Sequence, residues 1–285
     1  MSIDREILNF NEPARQRGLT LIEIMVALLI GSFLLAGVIQ IFIINKQTYR
    51  VQENLSRMQE NGRFALDYLN RYIRLAGYIA NEPFLDISNR NQSKRNTLIS
   101  DVFDPSTNPA ITGSNAAGLN SSDDITVRFQ GNPPYNLMTD CLGNGINSPN
   151  GDVIATNQFL IPTGFQDNNL YCRTVHNDAN GNVVVALQTQ PVIDGIENMQ
   201  IRYCTRTSIP DNFSCVATNP NWNRVESVKI SLLMRSADNN LVNAPQPYQF
   251  DTNGDGVDET ITPTDRRLRR VFTTTITLRN LVASD

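Results

Sequence analysis

From Ile24 to Asn45 the chain runs 22 residues without a charged side chain, built mainly from Ile, Leu, Val and Ala. At ~1.5 Å per residue, a helix of that length crosses the ~30 Å hydrocarbon core of a bilayer. The run therefore predicts a single-pass membrane segment at about 24–45. Arg15 and Arg17 precede it, so the positive-inside rule keeps that end in the cytoplasm and exports the rest. A secretory signal fits poorly, because its apolar core is only about 7–15 residues and a small-residue cleavage site follows it. No such site closes this run. A plain signal anchor fits the length but leaves Glu23 unexplained, since a carboxylate at the edge of an apolar helix costs free energy on insertion. An interfacial charge that merely snorkels is the bland alternative. An ionisable residue in this position reads first as functional.

Composition narrows the remainder. With 285 residues, 40% hydrophobic and 18% charged, the chain can bury a real core and is not disordered. A net charge of −4 argues against a nucleic-acid-coating protein, which needs a dominant basic face. A single histidine, His176, leaves little room for His-based catalysis or multi-His metal sites. No glycine-rich phosphate loop and no nucleophile–base pair stands out, so an enzyme is not expected.

The helical pattern continues beyond the apolar run. Leu55, Met58, Ala65, Leu66, Leu69, Tyr72, Ile73 and Ala76 recur at three- and four-residue spacing, with charged residues on the other faces. Gly77 offers a C-terminal stop. The expected fold is α+β, a long helix whose membrane-spanning first half is followed by a half packed on a C-terminal antiparallel β-sheet domain. The pattern gives a helix running to about 79 and a β-rich exported domain at 80–285.

Arg17-Gly18-Leu19-Thr20-Leu21-Ile22-Glu23, placed directly before the apolar run, resembles the class III signal of type IV prepilins. The resemblance implies that a prepilin peptidase cuts after Gly18 and N-methylates Leu19, and that Glu23 serves assembly by pairing with the amino terminus of a neighbouring subunit. It thereby implies a leader at 1–18 with the helix at 19–79. One departure is Gln40, where many major pilins carry proline, which leaves Gly31 and Gly37 as the residues able to loosen the helix. Val51 to Leu55, Gln59 to Leu69, Arg74 to Tyr78, Pro191 to Tyr203 and Arg267 to Thr273 resemble the PilW family of minor pilins. That family implies a pilin-like fold and a structural subunit that initiates type IV pilus assembly and with it twitching motility. Its partners would be other minor and major pilins and the inner-membrane assembly machinery. Its location would be the inner membrane with a periplasmic domain, then the pilus. A type II secretion pseudopilin is the alternative, and adhesion or DNA capture by the β domain is compatible with either, although direct nucleic-acid contact is not expected.

Beyond Asn81, β-branched runs alternate with Asn/Asp/Gly/Ser/Pro clusters. Strands are expected at 124–130, 158–163, 169–175, 182–189, 192–204, 225–235 and 269–279, with a hairpin turn at Asp178 to Gly181. Segments 101–123 and 131–157 read as surface excursions. Cys141, Cys172, Cys204 and Cys215 all fall in the exported part, without C-x-x-C spacing, so disulfides are favoured over zinc. Three connectivities are possible, and sequence-adjacent pairing, 141–172 and 204–215, is expected.

Asp251-Thr252-Asn253-Gly254-Asp255-Gly256-Val257-Asp258-Glu259 reproduces the first half of a calcium loop. Asp251, Asn253 and Asp255 would bind through side chains, Val257 through its carbonyl and Glu259 directly or through water. The twelfth position is Thr262 rather than Glu, with Asp265 a substitute only by a different loop path, and a plain Asn/Asp/Gly turn is the competing reading. Arg266, Arg267, Arg269 and Arg270 form the basic cluster. Strand alternation sends Arg267 and Arg269 to one face, and a structural or subunit-contact role beside the 251–259 loop is expected over DNA binding. His176 reads as a solvated turn residue.

Overall fold

The computed structural model describes residues 18, 20–79, 102–103, 107–131, 138–146, 153–165, 167–178, 180–208, 212–218 and 220–281. The leader before Gly18, and Leu19 itself, lie outside them. One helix, α1, spans Leu21–Ile73. The chain divides between Arg50 and Val51 into two compact units, and α1 contributes to both.

In the first unit every residue from Thr20 to Tyr49 is exposed, and Gly31 and Gly37 stay helical. A helix apolar on all sides has satisfied its backbone internally and kept its side chains for a non-aqueous surrounding.

In the second unit the same helix becomes one-sided. Asn54, Met58, Gly62, Ala65, Leu69, Tyr72 and Ile73 are its buried residues, a stripe at three- and four-residue spacing. Leu55 and Leu66, expected in the stripe, flank it half-buried, while Asn54 and Gly62 lie within it. Asn54 is tolerated because its amide exchanges hydrogen bonds with Asp238, Nδ2 to Oδ2 at 3.3 Å and Oδ1 from the Asp238 N–H at 3.2 Å. Gly62 is there because the Phe272 ring needs its missing side chain. The helix ends at Ile73, inside the expected 19–79 segment and three residues before Ala76, the last residue of the expected stripe. The N–H groups of Leu75 and Ala76 turn back only three residues, to Tyr72 and Ile73. Gly77, at φ +73°, then sends its own N–H to the carbonyl of Arg128 at 2.9 Å.

Two antiparallel sheets follow. β1 (Ile111–Ser114), β2 (Asp124–Gln130), β3 (Val153–Leu160), β4 (Leu170–Asp178) and β5 (Val183–Ile193) form a five-stranded meander in chain order. β6 (Ile196–Ser208), β7 (Asn212–Val216), β8 (Val225–Arg235) and β11 (Arg269–Thr277) form a four-stranded sheet in the order β11-β8-β6-β7. β9 (Tyr248–Phe250) and β10 (Glu259–Ile261) make a separate hairpin. One core joins Ala65, Leu69 and Tyr72 of the helix to Ile125 and Phe159 of the first sheet and Ile201, Ile230 and Leu232 of the second.

The strands at 124–130 and 225–235 stand where the sequence pattern puts them. The 158–163 strand instead starts at Val153, inside the expected 131–157 excursion, because Thr156 and Asn157 break the apolar pattern. Asn157 nevertheless faces inward, accepting a hydrogen bond from Thr174 Oγ1 at 2.8 Å. Segment 101–123 is likewise not all excursion, since it contains β1 and a 3-10 turn at Leu119–Ser121. β1, β7, β9 and β10 are three to five residues long, too short to show a period.

Asp123 ties the sheets together. Its carboxylate accepts the N–H of Ala116 at 2.9 Å and, from β6, the N–H of Ile201 at 2.7 Å. Burial pushes its carboxyl up to about 6 despite those hydrogen bonds.

Two outcomes are expected in thermal or denaturant unfolding of the detergent-solubilised chain. An ideal Cβ on Gly62 would lie 2.6 Å from the Phe272 ring. Gly62→Ala should therefore lower stability by ~1 kcal/mol, the overpacking outweighing a gain in helix propensity of about 1 kcal/mol, and Phe272→Leu should restore it. Asp123 binds its proton more tightly folded than unfolded. Its contribution should thus fall by roughly 2–3 kcal/mol as pH rises from about 4 to about 6, then stay flat. Asp123→Asn should flatten that limb, and an unchanged slope would refute the assignment.

Candidate functional site

At the start of α1, Thr20 and Glu23 cap the helix reciprocally. The Thr20 N–H and hydroxyl both donate to Glu23 Oε2 at 2.9 Å, and the Glu23 N–H donates to Thr20 Oγ1 at 3.4 Å. This is a capping box, in which a Thr and a Glu three residues apart satisfy orphan N–H groups at a helix start. The Thr-x-x-Glu spacing of Thr20-Leu21-Ile22-Glu23 is the sequence signal that marks this cap. Glu23 thus has a local partner one residue from Leu19. Gly18 is exposed, with nothing within 4 Å of an added Cβ.

The cysteines pair as sequence neighbours, Cys141 with Cys172 and Cys204 with Cys215. Cys204 and Cys215 are direct cross-strand partners on β6 and β7, with Cα atoms 4.0 Å apart. Each bridge contributes about 3 kcal/mol, chiefly by restricting the unfolded chain. Cys141 lies in the 138–146 loop, which is fastened at neighbouring points. The Tyr68 hydroxyl donates to the Cys141 carbonyl, and the Cys141–Cys172 bridge ties the loop to β4.

His176 supplies a further tie, and here the sequence expectation is overturned. It is not a solvated turn residue but sits in β4, fully buried, with Nε2 3.0 Å from Asp140 Oδ2. Asp140 also accepts the N–H groups of Leu142 and Asn144, at 2.8 and 2.9 Å. Burial opposes the charge on Asp140, yet the hydrogen bonds from His176, Asn144 and Leu142 hold its carboxyl below the usual range. His176 shares its face at period 2 with the buried Cys172 and Thr174, but the polar Thr174 on that face and the apolar Val175 on the other obscure the alternation in the sequence. The nearby Asp178 turn does form as expected, its carboxylate accepting the N–H groups of Asn180 and Asn182.

The 251–259 segment is the loop of the β9–β10 hairpin, with Glu259 paired to Phe250. One carboxylate oxygen each from Asp251, Asp255 and Glu259 lies within 4.8 Å of the others. An all-oxygen set of this kind fits a hard cation in chemistry. The loop also satisfies its own acceptors. Asp251 takes the N–H groups of Gly254 at 2.7 Å and Gly256 at 2.8 Å, and Glu259 takes Thr252 N–H at 2.8 Å and Asn253 Nδ2 at 3.0 Å. Gly256, at φ +94°, lets the Arg202 guanidinium approach closely. Asp265 does not substitute at the missing twelfth position, because it is bound to Arg269.

Arg267 and Arg269 of the arginine cluster take a structural role, as expected, with Arg269 also over the Tyr248 ring of the β9–β10 hairpin. The acidic partners of Arg269 are Glu197 and Asp265, not the 251–259 loop. Arg269 Nε meets Glu197 Oε2 at 2.7 Å and its Nη1 meets Asp265 Oδ1 at 2.7 Å, with only 5% of the side chain exposed. Hydrogen bonding to Arg269 holds the Asp265 carboxyl below its ordinary value. Arg267 precedes β11, outside the expected strand alternation, and donates to the carbonyls of Ser236 and Ala237. Arg270 covers the Phe272 ring at 5.5 Å. Arg267 and Arg269 are therefore committed within the fold, which removes them from a free basic patch.

Two family models match the chain: the Type IV Pilus-assembly protein W family at residues 158–280, and the prokaryotic N-terminal methylation motif at residues 13–39. Among curated proteins no relative matches. A solved type IV-like pilin from Thermus thermophilus is similar at 15% identity and a TM-score of 0.38, over 60% of this chain and 84% of that one. The pilus-assembly family is structural rather than enzymatic, and it implies interaction with other pilins and with the assembly machinery. The chain thus carries a PilW pilus-assembly domain behind a prepilin methylation motif and a membrane-anchoring helix, which is the organisation of a type IV minor pilin.

Proposed function

We propose that this minor pilin is an assembly-initiating subunit, held in the inner membrane with its β domain in the periplasm until it enters the pilus. The observation that carries the reading is the order of its parts: methylation motif, exposed apolar helix, PilW domain. Prepilin peptidase cuts after Gly18 and methylates Leu19. The new α-amino group then lies next to the Thr20–Glu23 cap, and in lipid a Glu23 carboxylate gains from a cationic partner on a neighbouring pilin.

Mass spectrometry of sheared filaments should find this chain beginning at N-methylated Leu19, and a bulky residue at position 18 should leave it unprocessed. Glu23→Ala should be processed and folded but should not support normal piliation. Glu23→Gln retains a capping side chain and removes only the charge. Loss of piliation in both variants supports charge pairing, whereas full function of Glu23→Gln would assign the residue to helix capping alone. Detection of the chain only in a secretion-system pseudopilus would replace the pilus reading.

We also infer that the 251–259 loop takes Ca²⁺, with Asp251, Asn253, Asp255 and Glu259 through side chains and Val257 through its carbonyl. The convergence of Asp251, Asp255 and Glu259 supports this. Without a twelfth-position Glu the affinity should be about 10⁻⁴–10⁻³ M, with Mg²⁺ a poor substitute. Several millimolar calcium should raise the melting temperature relative to chelator. No shift, or an equal shift in Asp251→Ala/Asp255→Ala, would leave a self-satisfied turn.

A further inference from the structure

A cavity of about 250 Å³ opens in the second unit where the Arg57–Asn61 face of α1 meets the Asp194–Gly195 turn, the end of β8 and Arg267. Arg57, Arg235 and Arg267 line it against two carboxylates, Asp167 and Asp194. Both carboxylates are already engaged. Asp194 accepts Asn61 Nδ2 at 2.5 Å, and Asp167 accepts the Tyr171 hydroxyl at 2.6 Å and Asn169 Nδ2 at 2.9 Å. Arg267 is held by carbonyl oxygens, while Arg57 reaches Asp194 only at 4.0 Å.

Arg235 is in a different position. Among the described residues no hydrogen bond reaches its guanidinium, and it is half-buried. It stands directly opposite Arg269 in the β8–β11 ladder, like charge against like charge. The nearby carboxylates, Glu197 and Asp265, are both bound by Arg269. Burial pushes the Arg235 guanidinium down from its ordinary value, the sign of a desolvated cation with too little compensation.

We propose that this cavity receives an acidic side chain presented by a neighbouring pilin subunit, with Arg235 as its main contact and Arg57 as the second. Its volume suits a side chain rather than a folded element, and its lining carries one more cation than anions. A carboxylate there would supply the two acceptor oxygens that a guanidinium fork matches. The source of the carboxylate rests on the pilus-subunit reading; the existence of the anion site does not.

The test uses the detergent-solubilised full chain titrated with N-acetyl-aspartate methylamide. The asparagine analogue and inorganic phosphate, at equal ionic strength, are the comparison arms. The aspartate compound should bind saturably in the millimolar range, followed through the arginine Nε–H resonances, and at least tenfold more weakly to Arg235→Gln. Equal binding of the asparagine analogue, equal binding to Arg235→Gln, or tighter binding of phosphate would overturn the proposal. In cells, Arg235→Glu should enter sheared filaments at least tenfold less than wild type and Arg235→Lys nearly as well. Equal incorporation of Arg235→Glu would overturn the subunit source. Absence of the wild type from filaments would instead refute the pilus reading, with the titration still deciding the cavity.

Discussion

The burial of one face of α1 between Met58 and Ile73 is the contact on which the rest of the second unit depends. That stripe meets residues of both sheets in a single core, so neither sheet closes its apolar face without the helix. The same helix begins as a segment with no buried residue from Thr20 to Tyr49. Two solvents therefore act on one continuous backbone. Lipid demands internal hydrogen bonding and tolerates apolar side chains all round, whereas the sheet-packed half needs a narrow stripe and polar flanks. Gly62 illustrates how tight the second demand is, since a single missing methyl group is what admits the Phe272 ring.

Polar side chains then fix the parts that the core alone would leave free. Asp123 bridges toward β6, Asp140 and His176 hold the 138–146 loop to β4, and Arg269 gathers Glu197 and Asp265. A buried charge without partners costs several kcal/mol, so each of these groups is worth keeping only with its full set of contacts. Arg235 departs from that pattern and faces a cavity, which is why it stands out as a contact for something outside the chain.

In the first unit, the Thr20–Glu23 cap gives the Glu23 carboxylate a local role before any neighbour arrives. Under the proposed function, the intersubunit ion pair would add to this cap the charge compensation that neutral N–H and O–H donors do not supply in a low-dielectric setting.

The membrane-length run, the cleavage signal around Gly18, the helical stripe and the strands at 124–130 and 225–235 were fixed by local chemistry, since length, charge-free runs and periodicity each act over neighbouring residues. The cysteine count and the turn chemistry at Asp178 belong to the same class. The inward placement of His176 and Asn157 did not follow from their neighbours, because a polar residue faces a core only when a distant partner meets it there. The choice of Glu197 as a partner of Arg269 was decided in the same way, by a fold-back over a separation of 72 positions, whereas Asp265 is a local partner four residues away. The short strands β1, β9 and β10 exist only because another strand offers them an edge. Tertiary structure alone could bring Arg57, Arg235 and Arg267 around one cavity, since they come from a helix, a strand and a loop that share no local signal.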